Sequence, residues 1–215
     1  MKLAPYVEDF GPFWWGDTPT EPLSLEFIGE DDTVVEAPAD VIEAWLVNPN
    51  GIASQDFSVL RAADPDGEPA DEPVELTWPD VALVPGGIWQ LVARVGGRRL
   101  PSLRFVVQYD DGWHSLDSAR DEWIEARQLT DVQLYQLLSA SRTQCIEYGP
   151  DLPVEGGVIV VPTHYRLAQL MQARALWQSM RANADPSAEG DFAVPTFPMD
   201  WTVRGLLRPR NPKAR

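Results

Sequence analysis

The chain has 215 residues, 44% of them hydrophobic, which is enough apolar material for a buried core and argues against wholesale disorder. Its 33 acids outnumber 17 bases for a formal charge of −16, and the excess lies in the front half: residues 1–111 hold 21 acids against 6 bases, whereas 112–215 hold 12 against 11. A half that acidic repels phosphate and is excluded as a site for free duplex DNA, no apolar run approaches the ~20 residues of a membrane span, and the step in charge predicts two domains.

The N-terminus runs from Met1-Lys2-Leu3-Ala4-Pro5 into Glu8-Asp9 without an apolar signal core, so the expectation is a chain made and used without secretion. Residues 1–17 form an aromatic arm, Phe10-Gly11-Pro12-Phe13-Trp14-Trp15-Gly16, with neither helical nor strand period. A solvated loop would not expose four large aromatics. Either they cover the core of their own domain, or Trp14 and Trp15 pack on a neighbouring subunit.

Residues 18–110 predict a β-sandwich of immunoglobulin-like type. Leu23, Leu25 and Phe27 alternate with Ser24 and Glu26. The run Val41 to Val47 ends at the turn Asn48-Pro49-Asn50-Gly51, Phe57 to Leu60 ends at Asp64-Pro65-Asp66-Gly67, and Val74 to Trp78 ends at Pro79. Ile88–Val95 and Leu103–Val107 flank Gly96-Gly97 and predict a hairpin. At Asp110-Asp111-Gly112 the period changes to helical, giving an α-helical domain over 111–184. Ser115 caps a first helix with Leu116, Ala119, Trp123 and Ala126 on one face. Thr130-Asp131-Val132-Gln133 is a capping box for a second, with Leu134, Leu137, Leu138, Cys145 and Ile146 at helical spacing and a stop at Gly149-Pro150. Asp151 to Pro162 reads as a loop containing Gly156-Gly157. Thr163 caps a third helix to about Asn183, with Leu170, Ala173, Trp177 and Met180 as its stripe. Residues 185–215 are an extended C-terminal tail with a short helix over Asp200–Leu207 that Pro209 ends. The fold class is therefore α+β in two domains.

Few residues carry chemistry. There is no GxSxG elbow, P-loop or dinucleotide fingerprint. His114 and His164, the two histidines, read as polar surface or interface residues. The lone Cys145 cannot form an internal disulfide and reads as a small buried hydrophobe. Asp64-Pro65-Asp66-Gly67-Glu68 departs from calcium-loop spacing and suits a β-turn, and the adjacent acids Asp31-Asp32, Asp71-Glu72 and Asp110-Asp111 suit solvated faces. The expectation is no enzyme, no cofactor and no metal. The basic tail is either without a partner or a docking peptide. In the second case Trp201, Leu206 and Leu207 enter an apolar groove while Arg204, Arg208 and Arg210 pair with acids of a partner, and the segment gains order only when docked.

Three stretches resemble the head-to-tail adaptor proteins of siphophages, in particular those of phages of actinobacteria. They are Trp113 to Trp123 with Ala119-Arg120-Asp121-Glu122-Trp123, the helices around Leu134–Tyr148 and Tyr165–Met180 with Ala173-Arg174-Ala175-Leu176-Trp177, and the ending Phe197-Pro198-Met199-Asp200-Trp201-Thr202-Val203-Arg204-Gly205-Leu206-Leu207-Arg208-Pro209. The likeness covers about residues 111–210. Val41–Gly51 and Trp78-Pro79 to Ile88-Trp89 resemble, less specifically, the immunoglobulin-like domains appended to phage virion proteins. The resemblance implies a structural virion protein of the phage neck, assembled in the host cytoplasm. Such a protein is a homo-oligomer, usually a ring of twelve, beneath the portal protein. Its C-terminal segment, here Trp201, Arg204, Leu206, Leu207, Arg208 and Arg210, docks on the portal, and its other face receives a stopper or tail-completion protein. Genomic DNA passes through the bore without sequence-specific binding. Val154, Val158 and Val160, in the apolar Gly-rich loop, are candidates for contact with the next protein, as Trp14 and Trp15 are with a neighbour. Two alternatives stand beside this: a sandwich module binding a ligand or host surface, and a hydrolase with a site near Asp110, Asp111 and His114.

Overall fold

The computed structural model describes residues 4–6, 10–28, 34–35, 42–60, 74–183 and 199–208. Internal contacts divide the chain into two compact units, 1–109 and 110–215.

The first unit is built from strands β1 (Ala4–Tyr6), β2 (Phe13–Trp14), β3 (Leu23–Ile28), β4 (Val34–Val35), β5 (Ile42–Val47) and β6 (Ala53–Asp56). They are followed by β7 (Ser58–Leu60), β8 (Val74–Thr77), β9 (Gly87–Val95), β10 (Arg98–Arg99) and β11 (Leu103–Gln108). One sheet runs β1-β3-β8-β7, with β4 also on β3, and the other runs β2-β11-β9-β5-β6, with β10 also on β9. Residues of both sheets share one core, and alternation is clearest in β5. In β5, Ile42, Ala44 and Leu46 point inward, while Glu43 is exposed and Trp45 half-buried. These residues join Leu25, Val74 and Leu76 from the first sheet and Trp89, Leu91, Ala93, Val95, Phe105 and Val107 from the second in one core.

The predicted Asn48–Gly51 turn forms: Gly51 N–H donates to the Asn48 carbonyl at 2.9 Å, and the Asn48 side chain accepts from Asn50 and Ile52. The Gly96-Gly97 hairpin forms as well, but its returning strand is broken. Arg98 pairs with Val95 and Arg99 with Arg94, whereas β11 resumes with Leu103 opposite Leu91. Pairing in an unbroken register would set residue 102 there, so one extra residue is accommodated around Pro101, which has no N–H for the ladder.

The described parts of residues 1–17 include two strands paired into the sheets. β1 pairs antiparallel with β3, and β2 pairs parallel with β11, so this stretch supplies a strand to each sheet. Phe10 and Phe13 turn inward onto the core, with ring centroids 4.7 Å from Phe105 and 5.3 Å from Trp78 respectively. The calcium-like stretch Asp64–Glu68, the pairs Asp31-Asp32 and Asp71-Glu72, and Arg210 lie outside the described residues.

The second unit contains α1 (Leu116–Glu122), a 3-10 turn over Ile124–Gln128, α2 (Asp131–Tyr148), β12 (Val154–Glu155), β13 (Val158–Ile159), α3 (Thr163–Asn183) and α4 (Trp201–Leu207). Both predicted N-caps are present. Ser115 accepts from Ser118 N–H, and Thr130 accepts from Gln133 N–H at 3.3 Å while Gln133 returns a bond to Thr130 N–H. Leu116, Ala119, Trp123 and Ala126 are all buried. On α2, Leu134, Leu137, Leu138, Ser141 and Cys145 are buried, but Ile146 is exposed, being about 100° around the helix from Cys145. The α3 N-terminus differs from the expectation by one residue: the Pro162 carbonyl already accepts from Tyr165 and Arg166 N–H, so Thr163 is the first helical residue and not the cap. Residues 154–159, expected within a loop, form the antiparallel pair β12–β13.

Candidate functional site

The short C-terminal helix exists because it is docked on its own unit. Asp200 caps α4 by accepting from Thr202 N–H at 2.7 Å, and these Thr202 bonds hold its carboxyl below the usual range. Asp200 N–H donates to Gln172 Oε1, and Gln172 is itself buried on α3 and bonded to Gln144 on α2. Val203 and Leu207, one turn apart, enter a core with Trp113, Cys145, Tyr165 and Ala168. The close fit at this place shows at Gly149, where a Cβ would stand 2.8 Å from the Cys145 carbonyl and against the Tyr165 hydroxyl, which bonds to Pro150 O. Arg204 and Arg208 lie over Tyr148, at 5.8 and 5.1 Å from the ring centre.

Leu207, expected to enter a partner's groove, is buried in the chain's own, and Leu206 is half-buried against it. The segment is ordered by intramolecular packing, which supplies the burial a seven-residue helix lacks alone. Trp201 is 80% exposed and points away from that core.

The β12–β13 hairpin is closed by Gly156 (φ 58°) and Gly157 (φ 86°), the left-handed pair that a two-residue primed turn demands. Val160 N–H donates to Pro153 O at 2.9 Å. In this register Val154 and Ile159 form the non-hydrogen-bonded pair, so their backbone polar groups face away from the hairpin. Val154, Val158 and Ile159 are 63%, 67% and 59% exposed, and Val160 is also exposed. Ile159 was not among the sequence candidates; the Gly-Gly dipeptide flanked by Val-Glu and Val-Ile was the available signal.

At the N-terminal stretch the two expectations divide between residues. The phenylalanines cover the core, while Trp14 and Trp15 are exposed. Asp17 accepts from Trp14 N–H, Trp15 N–H donates to Gln108 O, and the Trp15 ring stacks on exposed Tyr109 at 6.1 Å.

One polar string has the residue types of a hydrolytic triad. Ser118 Oγ lies 3.1 Å from His114 Nδ1, and His114 Nε2 lies 3.9 Å from Glu122. Its geometry is that of a helix cap. Ser118 Oγ accepts from Ser115 N–H at 2.9 Å, and the His114 ring is 1% exposed, out of a substrate's reach. Burial lowers the His114 pKa, against an opposing pull from Glu122. Asp111, expected beside it in a possible site, pairs with Arg142 at 2.6 Å. His164 is exposed on the first turn of α3. Burial pushes the Cys145 thiol up to about 12, which removes the thiolate a nucleophile needs. Among the described residues no group of three or more His, Cys, Asp or Glu side chains could hold a metal ion, and no helix is long and apolar enough to cross a membrane. In the first unit, Ile42, Glu43, Trp45, Phe57 and Arg94 line an open groove of about 550 Å³.

No protein-family model matches the chain, and no curated protein matches it in sequence. Among solved structures, the chain is similar to the filamin domain of Lin-41, with 11% identity and a TM-score of 0.30, over 49% of this chain and 91% of that one. The chain's own strands and helices make it α+β, with the β-rich region at the N-terminal side.

Proposed function

We propose that this chain is a structural virion protein of a tailed bacteriophage, an adaptor subunit that forms a ring between the portal and the stopper or tail-completion protein. Its first unit is then an immunoglobulin-like sandwich appended to the helical adaptor unit. The observation that carries the reading is Trp201, 80% exposed on a helix that is itself anchored by Val203 and Leu207 and whose Arg204 and Arg208 lie over Tyr148. An exposed tryptophan on an anchored, arginine-bearing helix has the composition of an interface anchor. The anchor is thus Trp201 with the arginines, and Leu207 holds it in place from behind. The exposed β12–β13 hairpin supplies a second apolar projection for the stopper side, and Trp14 and Trp15 a third for a neighbouring subunit. The resemblance of residues 111–210 to adaptor proteins gives these surfaces their named partners.

The test is co-sedimentation of the full chain with isolated portal or phage heads. Truncation before α4 would remove part of the core, so point variants are used. Trp201→Ala is expected to weaken portal binding at least about tenfold, the loss of a ~1.4 kcal/mol anchor. Val158→Asp with Ile159→Asp is expected to leave portal binding intact and block tail attachment. A wild-type chain that does not bind portal sinks the reading.

The groove beside Trp45 favours a second reading, a sandwich that binds a ligand or host surface. An aromatic wall with one acid and one base suits a polar ring or peptide. Loss of adsorption to host cells on Trp45→Ala, with portal binding unchanged, would select it.

A further inference from the structure

Charge is segregated within the first unit more sharply than between the two halves of the chain. Residues 1–80 hold 19 acids and two bases, whereas 81–109 hold four arginines and no acid. Those arginines, Arg94, Arg98, Arg99 and Arg104, all belong to the neighbouring strands β9, β10 and β11. Ala93 and Val95 point into the core, so Arg94 points outward, and Arg99 lies directly across from it. Leu103 and Phe105 pack on the core, so Arg104 shares the outer face, opposite Gln90. All three are exposed. Arg94 rests on Trp45 at 5.0 Å and pairs with Glu43 at 3.9 Å. Like charges directly across a ladder are unfavourable, and one half-exposed carboxylate does not neutralise three guanidinium groups.

The other sheet has the opposite character. In β3 and β8, Leu23, Leu25, Val74 and Leu76 point inward, which sends Ser24, Glu26 and Glu75 outward, with Ser24 paired across from Glu75. The described strands of this sheet carry no Lys or Arg. Val92 and Val106 lie on the arginine side and are buried, so its exposed part on β9, β10 and β11 is the three arginines; the exposed charge of the two outer sides is therefore opposite in sign.

Two different and complementary faces on opposite sides of a subunit are what a head-to-tail contact requires. We infer that the Arg94–Arg99–Arg104 face of one copy docks on the Glu26–Glu75 face of the next, so that the sandwich contributes a polar, salt-sensitive contact between successive copies of this chain. The inference rests on the ring reading for its biological setting, but its physical content is self-association.

The test is sedimentation of the full chain, in low and high salt, for wild type and two charge reversals. Wild type is expected to associate at ~50 mM salt and to lose at least about tenfold in association constant at ~500 mM, as screening shortens the reach of the charges. Arg94→Glu with Arg99→Glu and Arg104→Glu leaves two acidic faces, and Glu26→Lys with Glu75→Lys leaves two basic ones. Each variant alone is expected to be monomeric. Their equimolar mixture is expected to associate as wild type does, because every contact then joins an acid face to a base face. Recovery on mixing also shows that both variants are folded. Monomeric wild type at low salt, variants that associate like wild type, or a mixture that stays monomeric each overturns the inference. Rings on the portal that ignore both reversals would remove this contact and keep the adaptor reading. Self-association with no affinity for portal would do the reverse.

Discussion

Leu207→Ala measures whether α4 is part of the second unit or merely lies against it. The side chain is 1% exposed among Trp113, Cys145, Tyr165, Ala168 and Val203. Removing a buried leucine to alanine costs about 2–5 kcal/mol through lost burial and the cavity left behind. The helix has only seven residues, and its isolated stability is marginal, so the loss should appear as local undocking and not as unfolding of the unit. The reporters are the amides of Arg204 and Arg208, bonded to the carbonyls of Asp200 and Arg204 at 3.0 and 2.9 Å. With every ~1.4 kcal/mol worth tenfold, their hydrogen-exchange protection should fall about thirtyfold or more, up to the limit set by the docking free energy. Amides in the middle of α2 should be unchanged. Trp201→Ala, at an exposed position, should move nothing by more than about 0.5 kcal/mol. Unchanged exchange at Arg204 and Arg208 in the leucine variant would refute the reasoning, because the helix would then be ordered by something other than this core.

Three further outcomes follow from the second unit. Thr130→Ala removes a reciprocal cap and should lower the stability of α2 by about 1 kcal/mol, seen in the urea midpoint by circular dichroism, whereas Thr130→Ser should retain it. His114 has a folded-state pKa below its ordinary 6.5, chiefly from burial. The unfolded chain therefore takes up the proton first, and stability present above about pH 6.5 is lost as the pH falls toward the folded value. His114→Gln should flatten the stability profile as the pH falls below about 6.5, and an equally steep profile in the variant would assign the slope to other groups. Cys145, with its thiol near 12, should resist alkylation at mildly alkaline pH in the folded protein and react on adding denaturant, so rapid labelling of native protein would contradict its burial.

Local chemistry made much of the second unit legible. Ser115 and Thr130 each offer an oxygen to a helix N-terminus three residues before its partner, and both helices start there. Gly149-Pro150 stops α2 because proline has no N–H to continue it and disfavours helix in the residue before. In the first unit, the alternation of Leu23, Leu25 and Phe27 with Ser24 and Glu26 marked β3, and the turn residues marked the breaks after β5 and between β9 and β10. The β12–β13 hairpin is equally local in origin: Gly156-Gly157 supplies its turn between two short apolar-containing strands.

What sequence alone determined were the elements whose causes lie within a few residues: caps, turns, period, and the change from strands ending at Gln108 to helices beginning at Leu116. Only tertiary structure decided which of four neighbouring aromatics turn inward, because Phe10 and Phe13 meet Trp78 and Phe105 from distant strands while Trp14 and Trp15 do not. It likewise decided that Leu207 belongs to the chain's own core and Trp201 to its surface. An amphipathic tail records that it has an apolar face, but the groove that face fills is assembled from α2, α3 and residues near Trp113, and no local signal in the tail says whose groove it is.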